Sequence, residues 1–204
     1  EWTWSGPANE TETLSIITAE KLQVESSTQT QYPLPDLRAP VDIVISSDVQ
    51  GTLRDVIVGL RINHSWPADL KISLIHPDGS EVLLADHNGN GNHRDGSEVW
   101  GEGSRSCNGD LAYFSDDASE SISSRSNPFS GFSQPIGTLQ SLDGKAANGD
   151  WTLRVTDEWS QDDGELFCAE LLLTTTIPST SSTVQNLIPL SEQSATWTIP
   201  DPLT

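Results

Sequence analysis

GKAANGDWTLRVTDEWSQDDGELFCAELLL, residues 144–173, holds the pattern that decides the fold. Trp151, Leu153 and Val155 recur at every second position, with Thr152, Arg154 and Thr156 between them. A period of two places one apolar row on one face of a β-strand. Asp163-Gly164 reads as a hairpin turn, with ELFCAELLL as the returning strand. An enzyme core, a metal loop and a structural hairpin would each fit such a segment. The rest of the chain has to separate them.

The same period recurs upstream. VDIVIS (residues 41–46) is short and β-branched. Val56, Val58, Leu60 and Ile62 then alternate with Ile57, Gly59, Arg61 and Asn63. Leu70, Ile72 and Leu74 form another one-faced row. Pro77-Asp78-Gly79 is a turn with a mechanism, because Pro fixes φ and Gly supplies positive φ. EVLLAD (residues 81–86) returns from it, and these pieces are expected to form an antiparallel meander. Residues 86–110 lose all periodicity and fill with Gly, Asn and Asp, as functional or ion-bound loops do. The chain therefore divides into residues 1–31 (an N-terminal extension or extra strand), 32–176 (the β-sandwich) and 177–204 (a Ser/Thr/Pro linker and C-terminal extension). Many short alternating strands pack as two antiparallel sheets, so the expected class is all-β.

Composition narrows the function. Of 204 residues, 34% are hydrophobic, and 15 Gly and 12 Pro supply many turns. Acidic residues outnumber basic ones 30 to 10, for a net charge of −20. Such a surface repels polyanions, which excludes nucleic acid and anionic membranes as expected partners. It suits a soluble extracellular protein or Ca²⁺ binding. No run of about 18 apolar residues occurs, so no membrane insertion is expected. With no Met in the chain, a mature chain or an excised piece is expected.

Cys107 and Cys168 are the only cysteines and do not form a CxxC pair. One disulfide in an oxidising compartment is the simplest reading, with two free thiols as the alternative. The four His (His64, His76, His87, His93) have no GxSxG elbow and no HExxH motif around them. No catalytic residue is expected, and His64 is expected to bond a neighbouring strand or loop. Adjacent carboxylates such as Asp116-Asp117 point to opposite strand faces and read as turn or cap groups. Calcium is the chemical expectation that remains. Asp86, Asn88 and Asn90 place oxygen donors at every second position, as an EF-hand opening does, but Ser97 stands where the closing Glu belongs. Asp95, Asp110, Asp116 and Asp117 are the residues expected to complete a Ca²⁺ site with them.

In order, the chain holds Pro35-Asp36, INHSWPADLKISLIHPDGSEVLL, LAYFSDDA and LQSLDGKAANGDWTLRVTDEWSQDDGELFCAELLL. This combination resembles the P domain, or Homo B domain, of kexin- and furin-like proprotein convertases and of secreted bacterial multidomain proteins. The matching positions are His64, Asp69-Leu70, Pro77-Asp78-Gly79, Leu139 to Gly144, Gly149, Trp151, Leu153, Val155, Asp157 and Asp162 to Leu166. Phe167 departs from the pattern, since a Trp is common before the Cys, and so does the insert at 86–110. The resemblance implies a jelly-roll β-sandwich of roughly eight strands, similar to galactose-binding domains. It also implies a non-catalytic module that supports an attached protease catalytic domain of the same secreted chain. The alternative is a stand-alone or tandem module for adhesion, protein binding or a cell-surface carbohydrate ligand. Trp2, Trp4, Trp66, Trp100, Trp159 and Trp197 are its candidate contacts if exposed.

Overall fold

The alternating rows all form strands, but they pair in a different order from the one expected. The computed structural model describes residues 21–26, 32–35, 39–88, 99–101, 107, 110–126, 128–161 and 163–176. The strands are β1 (Lys21–Ser26), β2 (Tyr32–Leu34), β3 (Val41–Ser47), β4 (Thr52–His64), β5 (Leu70–Ile75), β6 (Glu81–Asp86), β7 (Val99–Trp100), β8 (Ala112–Phe114), β9 (Gly131–Ser133), β10 (Gly149–Asp157) and β11 (Gly164–Thr176). One sheet runs β1-β11-β4-β8-β9, with β2 also on β11 and β7 also on β4. The second sheet runs β3-β10-β5-β6. All pairs are antiparallel except β8 with β9. The protein is an all-β sandwich.

The period-two rows are the core. Val56, Val58, Leu60 and Ile62 of β4 meet Leu70, Ile72 and Leu74 of β5 and Trp151, Leu153 and Val155 of β10, all at most 1% exposed. The Trp151 indole N–H is satisfied inside this core, donating to the Ala147 carbonyl at 3.0 Å.

Two expectations need correction. Residues 41–86 are not a meander: β3, β5 and β6 lie in one sheet while β4 lies in the other. β5 and β6 do form a hairpin, across the Pro77-Asp78-Gly79 turn, with Gly79 at φ +88°. The final segment is not a hairpin either. β10 pairs with β3 and β5, whereas β11 pairs with β4, β1 and β2, so residues 158–163 cross between the sheets. Both strands have an apolar row, and placing them on opposite sheets lets each row face the shared core.

Gly164 accordingly has another reason to be glycine. Among the described residues of this crossing, Gln161 has a left-handed backbone, with φ 92°, and Gly164 does not. A Cβ on Gly164 would lie 2.4 Å from His64 Cδ2 and 2.6 Å from the Asn63 carbonyl oxygen. Gly164 and His64 are paired residues at the ends of β11 and β4, and the imidazole packs where the side chain would be.

A register shift between Leu166 and Cys168 makes Phe167 a bulge residue. It switches the parity of β11. Leu166 pairs with inward Ile62, and after the bulge Ala169, Leu171 and Leu173 pair with inward Leu60, Val58 and Val56. Cys168 pairs with Arg61 on the outer face.

Gly164→Ala is expected to lose about 2–3 kcal/mol of stability, since the clash includes backbone that cannot rotate away. Urea denaturation measures it, and a neutral result would restore the plain turn reading.

Candidate functional site

Three histidines stand at strand ends, His64 at the end of β4, His76 after β5 and His87 after β6, each beside a carboxylate.

His64 closes β4 and is 1% exposed. Its Nε2 lies 3.2 Å from Asp157 Oδ2, and both side chains are buried. Its Nδ1 sits on the Trp66 backbone, 2.8 Å from the carbonyl oxygen and 3.1 Å from the amide nitrogen. Asp157 also accepts the Trp159 backbone N–H at 3.2 Å, fixing the start of the crossing. An open groove lies beside this pair, lined by Pro33, Leu34, Asn63, His64, Asp163 and Glu165. Both ring nitrogens of His64 already have partners, so His64 serves as a tie between β4 and β10, as the sequence led us to expect.

His76 follows β5 and packs edge-on against Trp151, with ring centroids 4.8 Å apart. Its Nε2 is 2.8 Å from the Ala146 carbonyl, and its Nδ1 accepts the Asp78 backbone N–H at 3.1 Å. Lys145 Nζ donates to Asp78 Oδ2 at 2.6 Å and to Ser80 Oγ at 3.0 Å. The Lys145 hydrogen bond, with help from Ser80, holds the Asp78 carboxyl far below the usual carboxylate range.

The residues nominated for calcium have different settings. Asn90 and Asp95 lie outside the described residues. Asn88 turns back on its own chain, its Oδ1 accepting the Asp86 N–H at 2.8 Å. Both oxygens of Asp116 cap the 3₁₀ turn at Leu139–Leu142, accepting from Leu139 N (3.1 Å), Gln140 N (2.7 Å) and Thr138 Oγ1 (2.7 Å). Asp117 is exposed beside it, and its N–H donates to Ser115 Oγ at 3.2 Å. Burial raises the Asp55 carboxyl, and Asp117, Asp116 and Asp143 push it further up. Asp86 is grouped with His87 and Glu158, with one donor atom from each within 4.8 Å of the others. The sequence reading missed His87 and Glu158 because it looked only for oxygen donors close along the chain. Sheet order, with β10 and β6 on either side of β5, brings Glu158 to Asp86.

Cys107 and Cys168 are bonded, with Cα atoms 5.2 Å apart across 61 residues of sequence. The bond fastens the segment before β8 to the outer face of β11. Nearby, Arg61 Nη1 donates to the Gly101 carbonyl, and Trp100 stacks on Phe129 at 4.2 Å. Trp100 and Trp151 are core residues. Trp66 is half-buried, and Trp159 is 57% exposed. Trp2, Trp4 and Trp197 lie outside the described residues. Glu170, on the same outer face, has its carboxyl raised by burial, although the Tyr113 hydroxyl bonds to it and opposes the rise.

Residues 53–113 match the proprotein convertase P-domain family. This segment is similar in sequence to a P domain. The matched segment runs from β4 through β8 and includes His64 and the Pro77-Asp78-Gly79 turn. This family is a non-catalytic accessory one. No curated protein matches the chain. Among solved structures, the serine protease of Aeromonas sobria is similar at 16% identity and a TM-score of 0.46, covering 82% of this chain and 28% of the protease. The same organism's serine protease in complex with its chaperone is similar at 14% identity and a TM-score of 0.42, covering 76% of this chain and 27% of the other. The chain thus spans under a third of the length of these proteases. No helix among the described residues is long and apolar enough to cross a membrane.

Replacing both cysteines (Cys107→Ser with Cys168→Ala) is expected to lower stability by about 4 kcal/mol, the chain-entropy cost of reopening a loop of this length. Chemical denaturation of the two proteins measures it. The Lys145–Asp78 pair carries a pH signature. Asp78 stays ionised further into acid in the fold than in the unfolded chain, so its stabilisation is present above the unfolded value of about 3.9 and is lost as pH falls below it. Lys145→Ala should be less stable than the parent at pH 6, and the difference should narrow steadily from about pH 4 downward.

Proposed function

We propose that this chain is the non-catalytic P domain of a secreted protein and assists the folding and stability of a protease catalytic domain attached to it. The observation that carries this reading is the match of residues 53–113 to the proprotein convertase P-domain family. The chemistry of the described residues supports it. His64, His76, Asp78, Asp116 and Asp157 each tie one strand end or turn to another through named hydrogen bonds. A side chain committed in this way is a poor proton shuttle, since moving the proton would break a buried tie. The disulfide supports secretion, because such bonds persist in oxidising compartments.

On this reading the module works by surface, not by reaction. It offers its partner domain a rigid sandwich whose strand ends are locked by His–carboxylate and Lys–carboxylate contacts. A partner that binds only the folded form is stabilised in proportion to that binding.

The test is made in the longer polypeptide. Deleting residues 32–176 from it should reduce the yield of active protease and lower the temperature at which activity is lost. The isolated chain should cleave neither casein nor small peptide substrates. A deletion mutant as active and as heat-stable as its parent would overturn the accessory role, and peptidase activity in the isolated chain would overturn the non-catalytic one.

A further inference from the structure

We propose that Asp86, His87 and Glu158 form a site for one divalent ion of the Zn²⁺ type. The three lie where two strands of one sheet end beside the start of a third. Asp86 is the last residue of β6, His87 follows it, and Glu158 follows β10. β5 lies between β6 and β10, and consecutive carbonyls at its start hold both chains: the His87 N–H donates to the oxygen of Leu70, the first residue of β5 (3.1 Å), and the Glu158 N–H to that of Asp69 just before it (3.0 Å). Asn88 Oδ1 accepts the Asp86 N–H at 2.8 Å and is itself 8% exposed, so the turn that presents His87 is anchored as well. His87 takes a left-handed backbone, φ 51°, in this turn.

The donor chemistry points to a cation. His87 Nδ1 contacts Asp86 Oδ1, and His87 Nε2 is 3.2 Å from Glu158 Oε2. A neutral imidazole has one N–H and one lone pair, so it can satisfy only one of two flanking carboxylates. Both are satisfied together only by added positive charge, either a second proton on the ring or a metal ion taken up by one ring nitrogen and the two carboxylates. One donor atom from each residue lies within 4.8 Å of the others. Donors on a tetrahedral Zn²⁺ lie about 3.3 Å apart, given bonds of about 2.0–2.1 Å, so small side-chain rotations close the site.

The ligand set also selects the ion. One nitrogen and two carboxylates suit Zn²⁺ and its neighbours, whereas Ca²⁺ prefers six to eight oxygens. This donor set differs from the all-oxygen one expected from the sequence, and shares only Asp86 with it. Three protein ligands leave a fourth position for water or for a donor group from a partner. The chain's net charge of −20 raises the local concentration of any cation. Bound metal would join the end of β6 to the segment that crosses between the sheets.

The experiment is calorimetric titration and thermal unfolding of the whole chain, stripped with EDTA, against ZnCl₂ and CaCl₂. The expected result is one Zn²⁺ per chain and a rise of several degrees in Tm. Binding should weaken at least tenfold in His87→Ala and in Glu158→Gln. Both variants, metal-free, should melt within a few degrees of the parent, which shows that they fold. Three results would overturn the proposal: no Zn²⁺ binding, which makes the cluster an ion-paired tie; Zn²⁺ binding unchanged in both variants, which places the ion elsewhere; or a Ca²⁺-driven rise equal to that with Zn²⁺ that survives His87→Ala.

Discussion

The structure depends on the antiparallel pairing of β4 with β11. The two strands stay in register from Gly164 against His64 to Thr176 against Thr52, with two local shifts. Every other strand of that sheet is added to this pair: β1 and β2 on β11, β7 and β8 on β4, and β9 on β8. The inner faces of β4 and β11 supply one wall of the core, and the β3-β10-β5-β6 sheet supplies the other. The outer face of the same pair carries Cys168 and its bond to Cys107. One long ladder therefore sets the core, the seat of the disulfide and the close approach of His64 to Gly164.

Strand identity was legible in the sequence because burial on one face imposes a period of two. Val56 to Ile62, Leu70 to Leu74 and Trp151 to Val155 all follow it, and all are buried. Which sheet each strand joins was not legible. Alternation records that one face is buried, not which neighbour donates the hydrogen bonds, so a sandwich crossing and a hairpin look alike along residues 144–173. The β11 sequence concealed its register for a related reason. The Phe167 bulge breaks the alternation, so Leu166 and Ala169 face the same way although they are three residues apart. Glycine was ambiguous too: Gly79 is there for its backbone angle, whereas Gly164 is there because an imidazole occupies the space of its side chain.

The site chemistry was legible only where it was local. The Pro77-Asp78-Gly79 turn could be read from nearby residues. The Lys145–Asp78 contact and the His87–Glu158 contact could not, because each joins positions about 70 residues apart that only the sheet order brings together. The same limit applies to Asp116. Its neighbours in sequence suggested an ion ligand, and its neighbours in space make it the cap of the turn at Leu139–Leu142.

Native-state hydrogen exchange tests the central claim most directly. If the β4–β11 ladder is the constraint on which the rest is built, the backbone amides of Val58, Leu60, Leu171 and Leu173 should exchange slowest, and only through global unfolding. The edge strands β1, β2 and β9 should open at lower free energy. Slowest exchange in β3 and β10, with β4 and β11 opening first, would contradict the account and place the organising ladder in the other sheet.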